Sequence, residues 1–275
     1  MFAPLYGGCA VTVEKIWKGI KMIDENQKKR FLKICEAVLS TDRAEMGIGT
    51  YGEKYMHRIL KQFFCEDTDW HEVGQGAFFA DAVVDGVIYE IQTGGYYPLK
   101  KKLAYYLSST DKEIVIATPI VARKRLFWVE PETGNALPPR TVSMRTERTR
   151  ILREMYWLCE LLDFSRIRFC FPIVSVDEYR KLDGYGADKK KKATKIEKIP
   201  RELLDIEWIT CPKDVVRALI PCGLPDRFVA KDLSRLIGAR RRGLSACLGA
   251  LERLGLIERD GKEGNAVAYR TRSDS

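Results

Sequence analysis

Asp85-Gly86 is the dipeptide that best accepts the positive φ angles of a two-residue hairpin turn. It separates two runs of β-branched and aromatic residues, Phe79–Val84 and Val87–Thr93. Such a segment is committed to an antiparallel strand pair whose register the turn sets. Counting outward, Val84 faces Val87, Val83 faces Ile88, Ala82 faces Tyr89, and Asp81 falls opposite Glu90. Directly opposed acids destabilise a strand pair, so a sheet that keeps them together is expected to supply a cation or a shared proton. Gln92 lies two residues beyond Glu90, on the same face. Two carboxylates and an amide oxygen then share one patch, a donor set that suits a hard divalent cation such as Mg²⁺. The same face carries Phe79, Val83 and Ile88, which distinguishes it from the wet side of a two-sided sheet.

A chain of 275 residues is long enough for two domains, and its 45% hydrophobic and 31% charged residues are ordinary for a globular protein. No apolar run approaches membrane-spanning length, and the first residues lack a basic segment followed by an apolar one, so a cytoplasmic protein with no membrane partner is expected. The eight cysteines include no C-x-x-C pair and only two histidines accompany them, which argues against zinc and for reduced thiols. Residues 181–275 hold 21 Lys and Arg against 14 Asp and Glu, or +7 of the net +9. That asymmetry points to a polyanionic partner, nucleic acid ahead of membrane.

Along the chain, residues 10–39 read as two helical pieces, and a further helix is expected from Thr50, a candidate N-cap, to Phe64. Glu53 falls on the apolar side of that helix, near Leu60 and Phe64; it also reads as a first-turn acid favoured by the helix dipole. A strand over Trp70–Val73 precedes the hairpin. After it, Leu99 to Leu107 predicts a basic, aromatic helix and Glu113 to Pro119 a buried strand.

The order helix, strand, strand, strand, helix, strand, with Glu53 in the first helix, Asp81 on the second strand and Glu90-x-Gln92 on the third, resembles the core of the PD-(D/E)xK nuclease superfamily, which includes restriction endonucleases. The resemblance covers residues 44–120. It implies an α/β fold with a restriction-endonuclease-like mixed sheet flanked by helices, Mg²⁺ or Mn²⁺ as cofactor, DNA as substrate and phosphodiester hydrolysis. In its terms Asp81 and Glu90 hold the metal, the backbone carbonyl of Ile91 completes the coordination, and Glu53 assists. The sequence departs from the pattern where the superfamily has a lysine: Gln92 stands there, and an amide neither carries charge nor acts as a base. Gln92 would position water, and Lys101 or Lys102 would steady the scissile phosphate. The alternative is a catalytically inactive, nuclease-fold DNA-binding or regulatory protein. A homodimer is the common arrangement where both strands are cut.

Beyond this core a strand is expected over Arg125–Val129. Arg140, Arg145, Arg148, Arg150 and Arg153 lead into a helix and suit either phosphate contact or plain solvation. A strand over Phe169–Val176 follows, which Pro172 places at a sheet edge. The nuclease-like domain is drawn as 1–180, with residues 181–211, including Lys189 to Lys192, as a basic linker. Residues 212–275 contain three helical segments and two strands, and resemble a winged helix-turn-helix domain, an α+β fold. Arg240, Arg241, Arg242 and Ser245 then open the recognition helix, and Lys262 tips the wing; these would contact DNA. Reuse of the fold as a protein-docking module is the competing reading.

Overall fold

The computed structural model describes residues 23–46, 52–144, 147–184, 193–239 and 241–272, with backbone alone for 41–46, 52–54, 197, 241 and 242. Thr50, Arg145, Arg240, the lysine run 189–192 and the first expected helical piece, up to residue 22, lie outside the described residues. The chain forms an α/β domain around an eight-stranded mixed sheet, followed by a smaller unit with its own three-stranded sheet.

Two helices come first, α1 (Glu25–Met46) and α2 (Gly52–Phe64). Strands β1 (His71–Gln75), β2 (Phe78–Val84) and β3 (Val87–Ile91) follow as an antiparallel meander. The hairpin has the register counted from its turn: Val84↔Val87, Val83↔Ile88 and Ala82↔Tyr89. Asp85 (φ 50°) and Gly86 (φ 80°) both take the left-handed conformation that a turn matched to strand twist requires.

Helix α3 (Leu99–Ser109) crosses from β3 to β4 (Ile114–Ala117), which pairs parallel to β3. Strand β5 (Ile120–Val129) continues almost in line with β4, and both run parallel to one edge of β7 (Ile167–Lys181); β6 (Arg140–Ser143) pairs with β5. Helix α4 (Glu147–Met155) makes the crossover into β7. The register passes from Ala117↔Cys170 to Ile120↔Ile173, so Pro119 and Pro172 fall side by side. Pro172 therefore does not mark a sheet edge. It sits in a central strand, opposite the interruption between β4 and β5, where its missing N–H breaks no ladder.

The basic linker expected over 181–211 is largely a strand instead. Strand β8 (Thr194–Ile209) pairs antiparallel with β7 from Phe169↔Ile209 to Lys181↔Thr194. Ile199, Leu203 and Ile209 are buried, so these residues belong to the α/β domain.

Side-chain alternation divides the sheet's two faces. Ile88, Ile114, Ile116, Ile167, Phe169 and Phe171 meet α3 and α4 through Leu99, Leu103, Tyr106, Ile151, Leu152 and Met155. Val87, Tyr89, Ile91, Val115, Ala117 and Cys170 meet α1 and α2 through Phe31, Val38, Ile59, Leu60 and Phe63. Strands β3 and β4 are buried at every residue, as expected of strands covered by helices on both sides.

The C-terminal unit comprises α5 (Pro212–Leu219), β9 (Arg227–Val229), α6 (Ala230–Ile237), α7 (Arg241–Arg253), β10 (Ile257–Glu263) and β11 (Ala266–Thr271), with strand order β10-β11-β9. Its apolar residues are continuous with the α3–α4 side of the main core. Helix α7 packs on α4: the Cys247 thiol faces the Thr149 carbonyl at 3.9 Å, and the Thr149 hydroxyl donates to the Ile237 carbonyl at 2.5 Å. Gly249 permits this approach, since a Cβ there would lie 2.7 Å from the Tyr156 ring. No helix among the described residues is long and apolar enough to cross a membrane.

Candidate functional site

Ladder pairing in the hairpin stops at Ala82↔Tyr89. Beyond it Asp81 does not pair through its backbone with Glu90. Its carboxylate takes over the edge, and Oδ2 accepts the Ile91 N–H at 2.6 Å. Oδ2 also lies 3.3 Å from Nε2 of His57, one helical turn after Glu53 on α2. Asp81 retains 15% of its side-chain exposure, and Glu90 only 4%. The direct Asp81–Glu90 pairing that the count gave is not in the ladder, but both acids line one cavity, with their carboxylates held by different partners.

Glu90 is served from α3. Lys102 donates to Oε2 at 2.6 Å and the Tyr106 hydroxyl to Oε1 at 3.1 Å. Residues 102 and 106 are one helical turn apart, so a single helix face supplies both donors. Lys101, on the adjoining face, is exposed. Of the two expected lysines, Lys102 alone enters the site.

Gln92 lines the same cavity, but its side-chain N–H donates to the Gly95 carbonyl at 2.6 Å. The loop it fastens is pinned to α4: the Tyr96 N–H donates to Glu154 Oε2 at 3.2 Å, and Arg150 to the Gly94 carbonyl at 3.4 Å. A Cβ on Gly95 would meet the Glu154 carboxylate at 3.0 Å, which accounts for glycine there. The arginines ahead of α4 thus divide, with Arg150 holding this loop and Arg148 paired with Glu207 on β8.

His57, Asp81, Glu90, Ile91, Gln92, Thr93, Pro98, Leu99 and Lys102 line an open cavity of about 320 Å³. Its two acids have been driven apart. Burial pushes Glu90 up to about 7, against the opposing pull of Lys102 and with help from the Asp81 charge. Burial also works against ionised Asp81, but His57, the Ile91 N–H and Lys102 outweigh it and hold the carboxyl below its ordinary value. Neighbouring acids pushed in opposite directions within a cleft make this cavity the candidate site.

Among the described residues no three His, Cys, Asp or Glu side chains form a ready cluster for a metal ion. The set of two carboxylates, an amide and backbone oxygen still suits Mg²⁺, which binds through one or two carboxylates and completes its shell with water and substrate phosphate. Glu53 lies in the first turn of α2, with its side chain outside the described residues. His57 is the functional candidate that the sequence reading passed over. Its i, i+4 spacing from Glu53 was the available signal.

In the C-terminal unit, Ser245 and Lys262 are exposed, whereas Arg241 and Arg242 are described by backbone alone. The α7 residues that turn toward α4 and the segment after it are covered. Cys159 faces the Ala250 carbonyl at 3.8 Å, and Arg253 stacks 4.3 Å above the Tyr156 ring.

The chain belongs to the family described as a domain of unknown function, DUF8091, whose model matches residues 54–210. That match begins within α2 and ends one residue after β8, so it covers the α/β domain except α1 and the start of α2, and leaves out the C-terminal unit. No curated protein and no solved structure matches the chain.

Proposed function

We propose that the protein is a metal-dependent deoxyribonuclease of the PD-(D/E)xK type, with a C-terminal winged helix that contributes to DNA binding. The observation that carries this reading is the convergence of Asp81, Glu90 and Lys102 in one open cavity, with Glu90 buried and raised to about 7. Asp81 and Glu90 would hold the Mg²⁺, with the Ile91 carbonyl beside them. The ion, when bound, supplies positive charge for the phosphate and acidifies water. Lys102 neutralises Glu90 in its absence. Its ammonium, at the mouth of the same cavity, would meet a phosphate oxygen, the role the superfamily gives to the lysine that Gln92 replaces. His57 holds Asp81 ionised and oriented. In support, the C-terminal unit has three helices and the strand order β10-β11-β9, and residues 212–275 hold 13 Lys and Arg against 8 Asp and Glu, or +5.

Plasmid nicking with Mg²⁺ or Mn²⁺ tests this. Wild type should cut, and Asp81→Ala and Glu90→Ala should lose the activity. Absence of cutting with either metal on supercoiled, linear and branched DNA would refute it. A second reading, an inactive nuclease-fold protein that only binds DNA, is favoured by one observation: both oxygens of Glu90 are already satisfied, by Lys102 and Tyr106. Under it, DNA affinity survives Asp81→Ala and is insensitive to divalent cations.

A further inference from the structure

Beside the cavity stands a feature that the nuclease reading does not use. Tyr97 follows the loop fastened by Gln92 and immediately precedes Pro98 and Leu99, which line the cavity. Its side chain is 64% exposed, and it meets Trp157, itself 41% exposed, edge to face at 5.0 Å between ring centres. Trp157 meets Tyr156 at 5.7 Å, and Arg253, in the last turn of α7, lies over Tyr156 at 4.3 Å and donates to its hydroxyl at 3.2 Å. The four side chains form one continuous ladder from the rim of the cavity to the C-terminal unit.

Exposed large aromatics in contact with each other are unusual where burial offers them a few kcal/mol, roughly 1.5–3 for a side chain of this size. Tyr156 packs on the core, yet Tyr97 and Trp157 present their rings outward. Cations border the ladder: Arg253 lies over Tyr156, Arg253 and Lys100 share the single carboxylate of Glu160, and Lys101 beside them is exposed. Aromatic faces interleaved with cations are the recognition surface of single-stranded nucleic acid, whose bases stack while the phosphates follow the charge. A paired duplex keeps its base faces inside the stack and gains nothing from such a ladder.

We infer that the Tyr97–Trp157 pair stacks unpaired bases, so that the substrate of the adjoining cavity is DNA with a single-stranded segment. The inference rests on the nuclease reading for what happens in the cavity, and on the ladder for what is bound. It is tested by fluorescence anisotropy in EDTA, which prevents cutting. The probes are labelled oligonucleotides of one length in three forms: single-stranded, fully duplex, and single-stranded with abasic sites throughout. Wild type should prefer the single strand over both others. Tyr97→Ala and Trp157→Ala should each weaken that binding by roughly 5- to 100-fold, the range for loss of one stacked base, and leave duplex binding unchanged. Trp157→Phe, which keeps a ring, should restore most of the affinity, and unaltered melting would show that the variants fold.

Equal affinity for the abasic and natural strands would overturn the inference, as would alanine variants that bind like wild type. Loss of a protein contact with nucleic-acid affinity intact would assign the pair to a protein partner. The two readings fail separately. Base-dependent binding without cutting in Mg²⁺ or Mn²⁺ refutes the nuclease alone, and cutting of intact duplex undisturbed by Tyr97→Ala refutes the stacking alone.

Discussion

Glu90→Gln should remove a pH dependence of folding that the wild type carries. The Glu90 carboxyl moves from an ordinary 4.5 to about 7 in the folded protein, chiefly because burial penalises its charge. Between those values the folded state keeps a proton that the unfolded state has released, so stability falls as pH rises through the window. Each pH unit is equivalent to about 1.36 kcal/mol, so the full displacement corresponds to roughly 3 kcal/mol, of which about 2–3 falls between pH 5 and 8.5. Glutamine fills the same volume without titrating. Urea unfolding of both proteins across that range, with chelator present, measures the difference, in which titrating groups remote from Glu90 cancel. The wild type should lose about 2–3 kcal/mol more than Glu90→Gln on going to pH 8.5. Parallel curves would refute the argument. A wild type that gained stability relative to the variant would show that the Lys102 ion pair dominates and that Glu90 ionises below pH 5. If the cavity takes Mg²⁺ as proposed, the ion should restore wild-type stability at pH 8.5, by about 2.7 kcal/mol at a hundred times its dissociation constant, and do nothing for Glu90→Gln.

Three further outcomes follow from the same structure. Lys102→Ala leaves Glu90 buried without its cation, so it should cost about 3–5 kcal/mol at pH 8.5 and markedly less at pH 5, where Glu90 holds its own proton; urea titration at the two pH values reads this. Arg125→Ala removes a guanidinium that grips the buried Asp177 with two bonds of 2.7 Å; with Arg201 left at 3.5 Å, a loss of about 3 kcal/mol in thermal or urea unfolding is expected. Gly249→Val drives a side chain into Tyr156 and should loosen α7 from α4, costing about 1–3 kcal/mol and exposing the turn between β8 and α5 to protease. An unchanged cleavage pattern would show that the C-terminal unit is held by other contacts.

What the sequence revealed depended on how local the determinant was. The Asp85-Gly86 turn is a two-residue decision, so its register was countable and holds in the structure to Ala82↔Tyr89. That count puts Asp81 and Glu90 on the same face of neighbouring strands, and both line the cavity. The Asp81 carboxylate bonding to Ile91 does not follow from the count, because it needs the strands to part by an amount the pattern does not encode. Strand β8 escaped notice because Lys, Glu and Arg fill much of Thr194–Ile209, beside a lysine run; it is a strand because β7 offers it a partner along almost its whole length. Pro172 misled for a related reason. Its tolerance in a central strand depends on Pro119, more than fifty residues away in the chain. Gly243 and Gly249 are poor residues for a recognition helix considered alone, and only the presence of Arg153 and Tyr156 against them explains the choice.

The residue that follows the third strand and the cation that reaches its acid come from two different parts of the chain. Gln92 keeps the position and uses its amide to fasten the loop through Gly95, whose approach to Glu154 allows no larger residue without a shift. The charge comes instead from Lys102, on a helix that starts directly after that loop. The loop consequently sets where the helix begins, and the helix sets where Lys102 and Tyr106 meet Glu90. The cation beside Glu90 is thus supplied from the helix and not from position 92. The loop also ties the cavity to α4 through Glu154 and Arg150, and α4 is the helix against which the C-terminal unit is docked. The C-terminal unit and the two acids are thus joined by a short run of contacts, through α4 and the 93–98 loop.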